Sequence, residues 1–281
     1  MRVITGISRF FIYSNIFIAI CAVLMVNQTY SFLLHVSPNS RFLFFVFFST
    51  TCSYSFHWWL TSHSVIPSSR MEWLKMNRSL HRNFFFAGLI GACIFFFYLF
   101  PYWHWLLFSA IITFLYSAPK IPTKHFQLLR KVALGKTIFL AFVWMYVTTI
   151  LPIVISSQPW QNHFLLFIAS RFFLIYAICI LFDYRDREDD KAAGIRSMIT
   201  YLSEAGIFYL FISSLIIFAV VTIWMLKYNY RIMDIAILLL PGIITGFLYN
   251  YAIRNFSDTF YYFVLDGLMA FSAMLMLIPG I

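Results

Sequence analysis

Charge is scarce in this chain. Only 11% of its 281 residues are Asp, Glu, Lys or Arg, and not one of the ten acids precedes Glu72. A soluble domain needs a solvated, charged surface, whereas this sequence is 62% hydrophobic and carries 35 Phe, 17 Tyr and 8 Trp. That composition excludes an ordinary soluble fold and makes lipid the expected solvent. Alternating stretches of about ten residues, the mark of a membrane barrel, are also missing, which leaves helices as the way to satisfy every backbone group in lipid. Cysteine is sparse: Cys21, Cys52, Cys93 and Cys179 each fall singly inside a hydrophobic run. No paired spacing of the zinc or redox kind exists, so they are expected to be packing residues. No Gly/Ser linker or low-complexity tract interrupts the chain, and residues 1–281 form one expected integral-membrane domain.

What is present is a series of hydrophobic runs near the ~20 residues that carry a helix across a ~30 Å hydrocarbon layer. They predict an all-α, polytopic membrane bundle of about nine transmembrane helices, at about 10–33, 42–61, 83–100, 102–117, 133–155, 163–182, 204–226, 232–250 and 259–279. Arg2 and Arg9 precede the first run as they would in a signal peptide, but the run is long and no small-residue cleavage site follows, so a retained first helix is expected. Pro101 separates two short runs and fits either a tight hairpin or one kinked helix.

With nine spans the long connections 62–82, 118–132, 183–203 and 251–258 fall on one side, and nearly all Lys and Arg lie there. The positive-inside rule puts that side in the cytoplasm, in a cell of the kind whose inner (plasma) membrane houses such proteins in bacteria. The formal +10 charge is in large part this topology signal, although a basic rim also suits anionic lipid or phosphate. No nucleic-acid partner is expected, and the sequence leaves the oligomeric state open. Trp103, Trp105 and Trp160 fit an interfacial aromatic belt.

The most informative segment follows the sixth span. From Asp183 to Asp190 all residues but Tyr184 are charged, and five of the ten acids lie there. If the helix continues, Asp183, Asp186 and Asp190 share one face over two turns, with Asp189 rotated off it. Three neighbouring carboxylates need positive charge among them. A hard divalent cation such as Mg²⁺, completing its shell with water and phosphate oxygens, meets that need, and so do Arg185, Arg187 and Lys191 as ordinary surface pairs. Tyr116-Ser117-Ala118-Pro119-Lys120-Ile121-Pro122-Thr123-Lys124, followed by Arg130 and Lys131, leaves the fourth span on the same face and brings cations suited to a diphosphate.

The run Asp183-x-x-Asp186-x-x-x-Asp190-x-x-x-Gly194-Ile195-Arg196-Ser197 closely resembles the second aspartate-rich motif of the UbiA superfamily of membrane prenyltransferases, and Tyr116-Ser117 with its trailing lysines is similar to that family's segment after the fourth helix. The resemblance implies a nine-helix, UbiA-like bundle that transfers a polyprenyl group from its diphosphate to an aromatic or other lipophilic acceptor, with Mg²⁺ as cofactor. It assigns Asp183, Asp186 and Asp190 to metal and catalysis, and Lys120, Lys124, Arg130, Arg187 and Arg196 to the diphosphate.

The family's first acidic motif is expected at the end of the second span, where this chain has Ser53-Tyr54-Ser55-Phe56-His57-Trp58-Trp59-Leu60-Thr61-Ser62-His63-Ser64. Matching Arg70 to the arginine that follows that motif puts Ser55, Phe56, Trp59 and His63 where its polar and acidic residues belong. Ser53, His57, Thr61 and Ser64 nevertheless share a helical face. His57 is the candidate catalytic residue of this wall, as a ligand, a proton shuttle or a hydrogen-bonding group. Two classes remain open: an enzyme with a rebuilt site, and a catalytically degenerate protein that binds a metal, isoprenoid or lipid headgroup. A transporter would need an inverted repeat with broken helices, which the sequence does not show. Within the spans, Arg171 is expected to point into the bundle toward Asp266 or a carbonyl, and Glu204 to cap the seventh helix, where its charge complements the N-terminal dipole.

Overall fold

A computed structural model describes residues 2–61, 68–118, 121, 135–192, 194 and 197–278, with side chains from Gly6 onward. The described residues are helical and contain no strand. In chain order the main helices are α1 (Arg2–Tyr13), α2 (Ile16–Leu33), α3 (Ser40–Leu60), α4 (Ser69–Met76), α5 (Arg78–Tyr98), α6 (Trp103–Ser117), α7 (Lys136–Ser156), α8 (His163–Arg185), α9 (Arg187–Ala192), α10 (Glu204–Tyr228), α11 (Ile232–Ala252) and α12 (Phe260–Leu275). Nine of these correspond to the expected spans. Six are both long and apolar enough to cross a membrane; α3 has the length but more polar residues, and α6 and α12 are shorter.

Local chemistry sets the boundaries. Asn15, at φ 71°, adopts the left-handed conformation that Asn tolerates, ending α1 and starting α2 six residues later than the hydrophobic run begins. Asn39 caps α3 by accepting from the amides of Arg41 and Phe42, Ser68 caps α4 at the Met71 amide, and Ser203 caps α10 at the Gly206 amide. The cap is Ser203 and not the expected Glu204, which follows it in the first helical turn, where its charge still complements the helix dipole. The chain turns sharply at Pro101: the ring of Phe56 lies 5.4 Å from Phe85 near the start of α5 and 6.5 Å from Phe114 near the end of α6. The two helices therefore run antiparallel as a tight hairpin, not as one kinked helix.

Gly88 brings α5 against α3. A Cβ there would lie 2.7 Å from the Cys52 amide nitrogen and 2.8 Å from the Phe48 carbonyl oxygen, so only a bare Cα permits this spacing. The described parts of the long connections gather at one end of the bundle: Tyr13 meets Ser69, Arg70 meets Asn15, Ser68 and Ser69 meet Asp258, and Lys136 meets Asp190. Trp103, Trp105 and Trp160 are exposed, as an aromatic belt requires.

Arg171 does point inward, and of the two expected partners it takes a carbonyl, that of the Gln28 side chain, and not Asp266. It donates to Gln28 Oε1 at 2.9 Å and stands 4.9 Å over the Phe167 ring, while Gln28 donates to Ser272. Helical phase gave the direction of the side chain; which helix lies opposite is a tertiary fact, and it is α2 rather than Asp266 of α12.

Candidate active site

A cavity of about 1460 Å³ runs down from the end of the bundle that carries the long connections. Along α3 its lining extends from Leu60 to Phe45, roughly 22 Å at 1.5 Å per residue. Most of the wall is apolar and aromatic, and the charged lining residues crowd the mouth: Lys136, Asp183, Arg185, Asp186, Asp189 and Asp190, with Asp266 standing apart and deeper.

The acidic wall keeps its helical path almost unbroken. α8 ends at Arg185 and α9 begins at Arg187, yet the Asp186 amide still bonds to Phe182 O at 3.0 Å and the Asp190 amide to Asp186 O at 2.8 Å. Asp183, Asp186 and Asp190 thus line one cavity, as the spacing predicts. Asp189 lines it too, against the expectation from uninterrupted phase, because the non-helical Asp186 (ψ 2°) shifts the following turn.

The cation among these acids is Lys136, at the N-terminus of α7. Its ammonium lies 3.3 Å from Asp183 and 3.0 and 3.2 Å from the two oxygens of Asp190. Thr137 donates to the other Asp183 oxygen. Burial pushes Asp190 up to about 6, against the pull of Lys136 and with Asp183 adding to the rise. Lys136 was hidden in sequence at the head of an apolar run. The signal that could have found it is the preceding Gly135, which ends the basic connection and puts the first helical side chain at the bundle's mouth.

A second polar knot joins the connections behind the cavity. Asp258 accepts from Ser68, Ser69 and the Arg70 amide and pairs with Arg185. Burial alone would raise this carboxyl, but the Arg70 amide, Arg185 and Ser69 hold it below the usual carboxylate range. The Arg70 guanidinium is buried, 3.9 Å over Trp58 and 4.1 Å over Tyr262, and donates to Asn15 Oδ1 at 2.6 Å. Asn15 in turn donates to Ser55 and meets His81.

On the opposite wall, Ser53, His57 and Thr61 line the cavity as their shared face predicts. His57 Nδ1 bonds to Ser117 Oγ at 3.2 Å, and its ring stacks on Tyr116. Ser55 turns away into the Asn15 network, and Ser64 and His63 lie outside the described residues. Of the expected diphosphate ligands, Lys120, Lys124, Arg130 and Arg196 also lie outside them. Arg187 is described, but it pairs with Glu204 at 2.6 Å and is not part of the cavity wall. The mouth's described cations are Lys136 and Arg185 instead.

Among the described residues no three His, Cys, Asp or Glu side chains converge as a ready metal cage. The donor chemistry still fits one hard divalent ion: Mg²⁺ takes only one or two carboxylates and draws the rest of its shell from water and phosphate, and this wall already gathers two carboxylates around a cation.

No curated protein and no solved structure matches the chain. The model of the UbiA prenyltransferase family matches residues 61–274, a stretch that contains α4 to α11, nearly all of α12 and every charged residue of the cavity mouth. By that match, over most of its length, the chain belongs to the UbiA prenyltransferase family.

Proposed function

We propose that this protein transfers a polyprenyl group from its diphosphate to an aromatic or other lipophilic acceptor, with its cavity mouth on the cytoplasmic face of a bacterial inner membrane. The observation that carries this reading is the pairing of a charged mouth with a deep apolar cavity in one continuous space. A prenyl diphosphate has that same division between a charged head and an apolar tail.

In this reading Lys136 and Arg185 meet the diphosphate at the mouth, and Lys120, Lys124, Arg130 and Arg196 are assigned to it from sequence. Prenyltransferases of this family generally use Mg²⁺. Asp183, Asp186 and Asp190 would hold it, and when bound it would neutralise charge on the departing diphosphate. The aromatic wall shelters the tail and keeps water from the allylic carbon. His57, fixed by Ser117 and Tyr116, occupies the facing wall as the candidate group for holding or moving a proton. The carbon–oxygen bond to diphosphate breaks with its electron pair, a bond from the acceptor forms at that carbon, and the acceptor gives up a proton.

A second reading is favoured by one observation: the described α3 wall has no acid. A protein with half of the metal cradle could bind an isoprenoid or lipid headgroup without turnover, since ground-state affinity alone does not lower the barrier. Detergent-solubilised protein is incubated with radiolabelled farnesyl and geranylgeranyl diphosphates, Mg²⁺ and a membrane lipid extract. Metal-dependent label in a new lipid, lost in Asp183→Asn, supports transfer; tight binding with no product across a broad acceptor panel supports the second reading.

A further inference from the structure

Asp266 is used by nothing described so far. It lies where the π-helical turn Phe260–Leu265 gives way to the α-helical part of α12, about 6 Å deeper than Tyr262 along the helix. Such π-turns recur at functional sites. Its side chain lines the cavity and is 8% exposed. A carboxylate at this depth is expensive unless something satisfies it, and no described residue gives Asp266 a hydrogen bond or an ion pair. Its charge does act on Arg70, but that guanidinium is held by Asn15 between Trp58 and Tyr262.

Tyr54 lies within electrostatic reach of Asp266 and also lines the cavity. Its hydroxyl oxygen accepts from Trp144 Nε1 at 3.1 Å, which leaves the phenolic hydrogen to be donated. The two side chains thus offer one acceptor and one donor, with the ring of Trp144 beside them. The described cavity wall has no cation at this depth, since Lys136 and Arg185 are both at the mouth.

From this juxtaposition we infer that Asp266 and Tyr54 form the acceptor subsite, and that it takes a neutral hydroxyl-bearing aromatic, a phenol, in preference to an aromatic carboxylate. The inference rests on the transfer reading given above and names the chemistry of its second substrate. A phenol can donate to Asp266 and accept from Tyr54. It also keeps the electron density that attack on an allylic carbon requires, which an ammonium head lacks. An aromatic carboxylate would face Asp266 with like charge, and no described cation lines the cavity beside it, since Arg70 is engaged by Asn15 outside the cavity wall.

The probes are 1-naphthol and 1-naphthoate, titrated near neutral pH against the purified full chain in detergent, with quenching of Trp fluorescence as the readout and no prenyl diphosphate present. Saturable naphthol binding is expected, weakened about tenfold or more in Asp266→Asn and also weakened in Tyr54→Phe, with naphthoate binding far more weakly to the unaltered protein. Prenyl diphosphate binding that survives in Asp266→Asn locates the loss at the acceptor subsite. If Asp266→Asn fails to fold, Tyr54→Phe decides the matter, because it keeps the ring. Naphthol binding unchanged by the variant that folds, or naphthoate bound as tightly as naphthol, would overturn the inference. Transfer itself is judged separately by pyrophosphate release, so its presence or absence does not depend on these titrations.

Discussion

Lys136→Met isolates the electrostatics of the acidic wall. The ammonium lies 3.0 Å from Asp190 and 3.3 Å from Asp183, whose side chains are 7% and 6% exposed, while the lysine itself is 20% exposed. Removing one partner of a fully buried pair costs about 3–5 kcal/mol. The open mouth lets solvent screen this site, so roughly 1–3 kcal/mol is the expected loss. The loss should depend on pH with a definite sign. Burial holds Asp190 up to about 6 in the folded protein, above its ordinary value of 3.8, so its ionised form opposes folding at neutral pH and the opposition fades as pH falls through about 6. Without Lys136 the carboxyl rises further, and the penalty is largest at pH 8 and recedes at a higher pH than in the unaltered protein. Thermal unfolding in detergent between pH 5 and 8 measures this. Lys136→Met with Asp190→Asn should recover most of the loss, because the uncompensated charge is gone. A Lys136→Met protein as stable as its parent at every pH, or a double variant no better than the single one, would refute the reasoning.

Four further outcomes follow from the same geometry. Asp258→Ala should cost about 3–5 kcal/mol by leaving Arg185 buried without its partner, and Arg185→Met combined with Asp258→Ala should cost less than the sum of the single changes, as chemical denaturation can show. Because Asp258 is held below the usual carboxylate range, its contribution is complete above pH 4 or so and falls away as pH drops through the depressed value, which acid unfolding of the parent and of Asp258→Asn should reveal. Gly88→Ala should destabilise by about 1–3 kcal/mol, and more than Gly91→Ala, since the former meets the α3 backbone and the latter only the Phe48 ring; melting temperatures rank the two. Cysteines placed at Lys75 and Lys191 should label from the cytoplasm and one at Lys227 only from outside, and labelling of the first two from opposite sides would defeat the topology.

The spans were legible because lipid imposes one length and one polarity on them. Their ends were less so, since a left-handed Asn15 or a Ser68 cap is a local backbone event inside a hydrophobic or polar trend that continues past it. The acids at 183, 186 and 190 were legible because helical spacing survives the small break at Asp186. Partners across helices were not. The sequence leaves Arg171 between Asp266 and a carbonyl and keeps Lys136 hidden, because it gives the direction of a side chain on its own helix but not the identity of its neighbour.

The acid-free second wall is more than a gap in a motif. Matching Arg70 to the family's arginine puts Ser55 among the motif's polar and acidic positions, yet Ser55 is fully buried against Asn15, and the polar α3 side chains that line the cavity include Ser53, Tyr54 and His57. Arg70 stands with no acid on the described α3 wall beside it. Its guanidinium is held by the Asn15 carbonyl and the faces of Trp58 and Tyr262, with electrostatic attraction from Asp266 and Asp258, and Asp258 bonds its backbone amide. An acid introduced at position 55 would therefore enter the buried Arg70 network and neutralise a guanidinium, without adding a ligand to the cavity. Metal affinity on this wall would have to come from the face of Ser53 and His57, where the nearby Tyr116 ring and the Ser117 hydroxyl already fix a side chain with a metal-capable nitrogen. The absence of acids from the described wall and the aromatic enclosure of Arg70 are thus two parts of one electrostatic arrangement, in which protein groups hold positive charge at this end of the bundle.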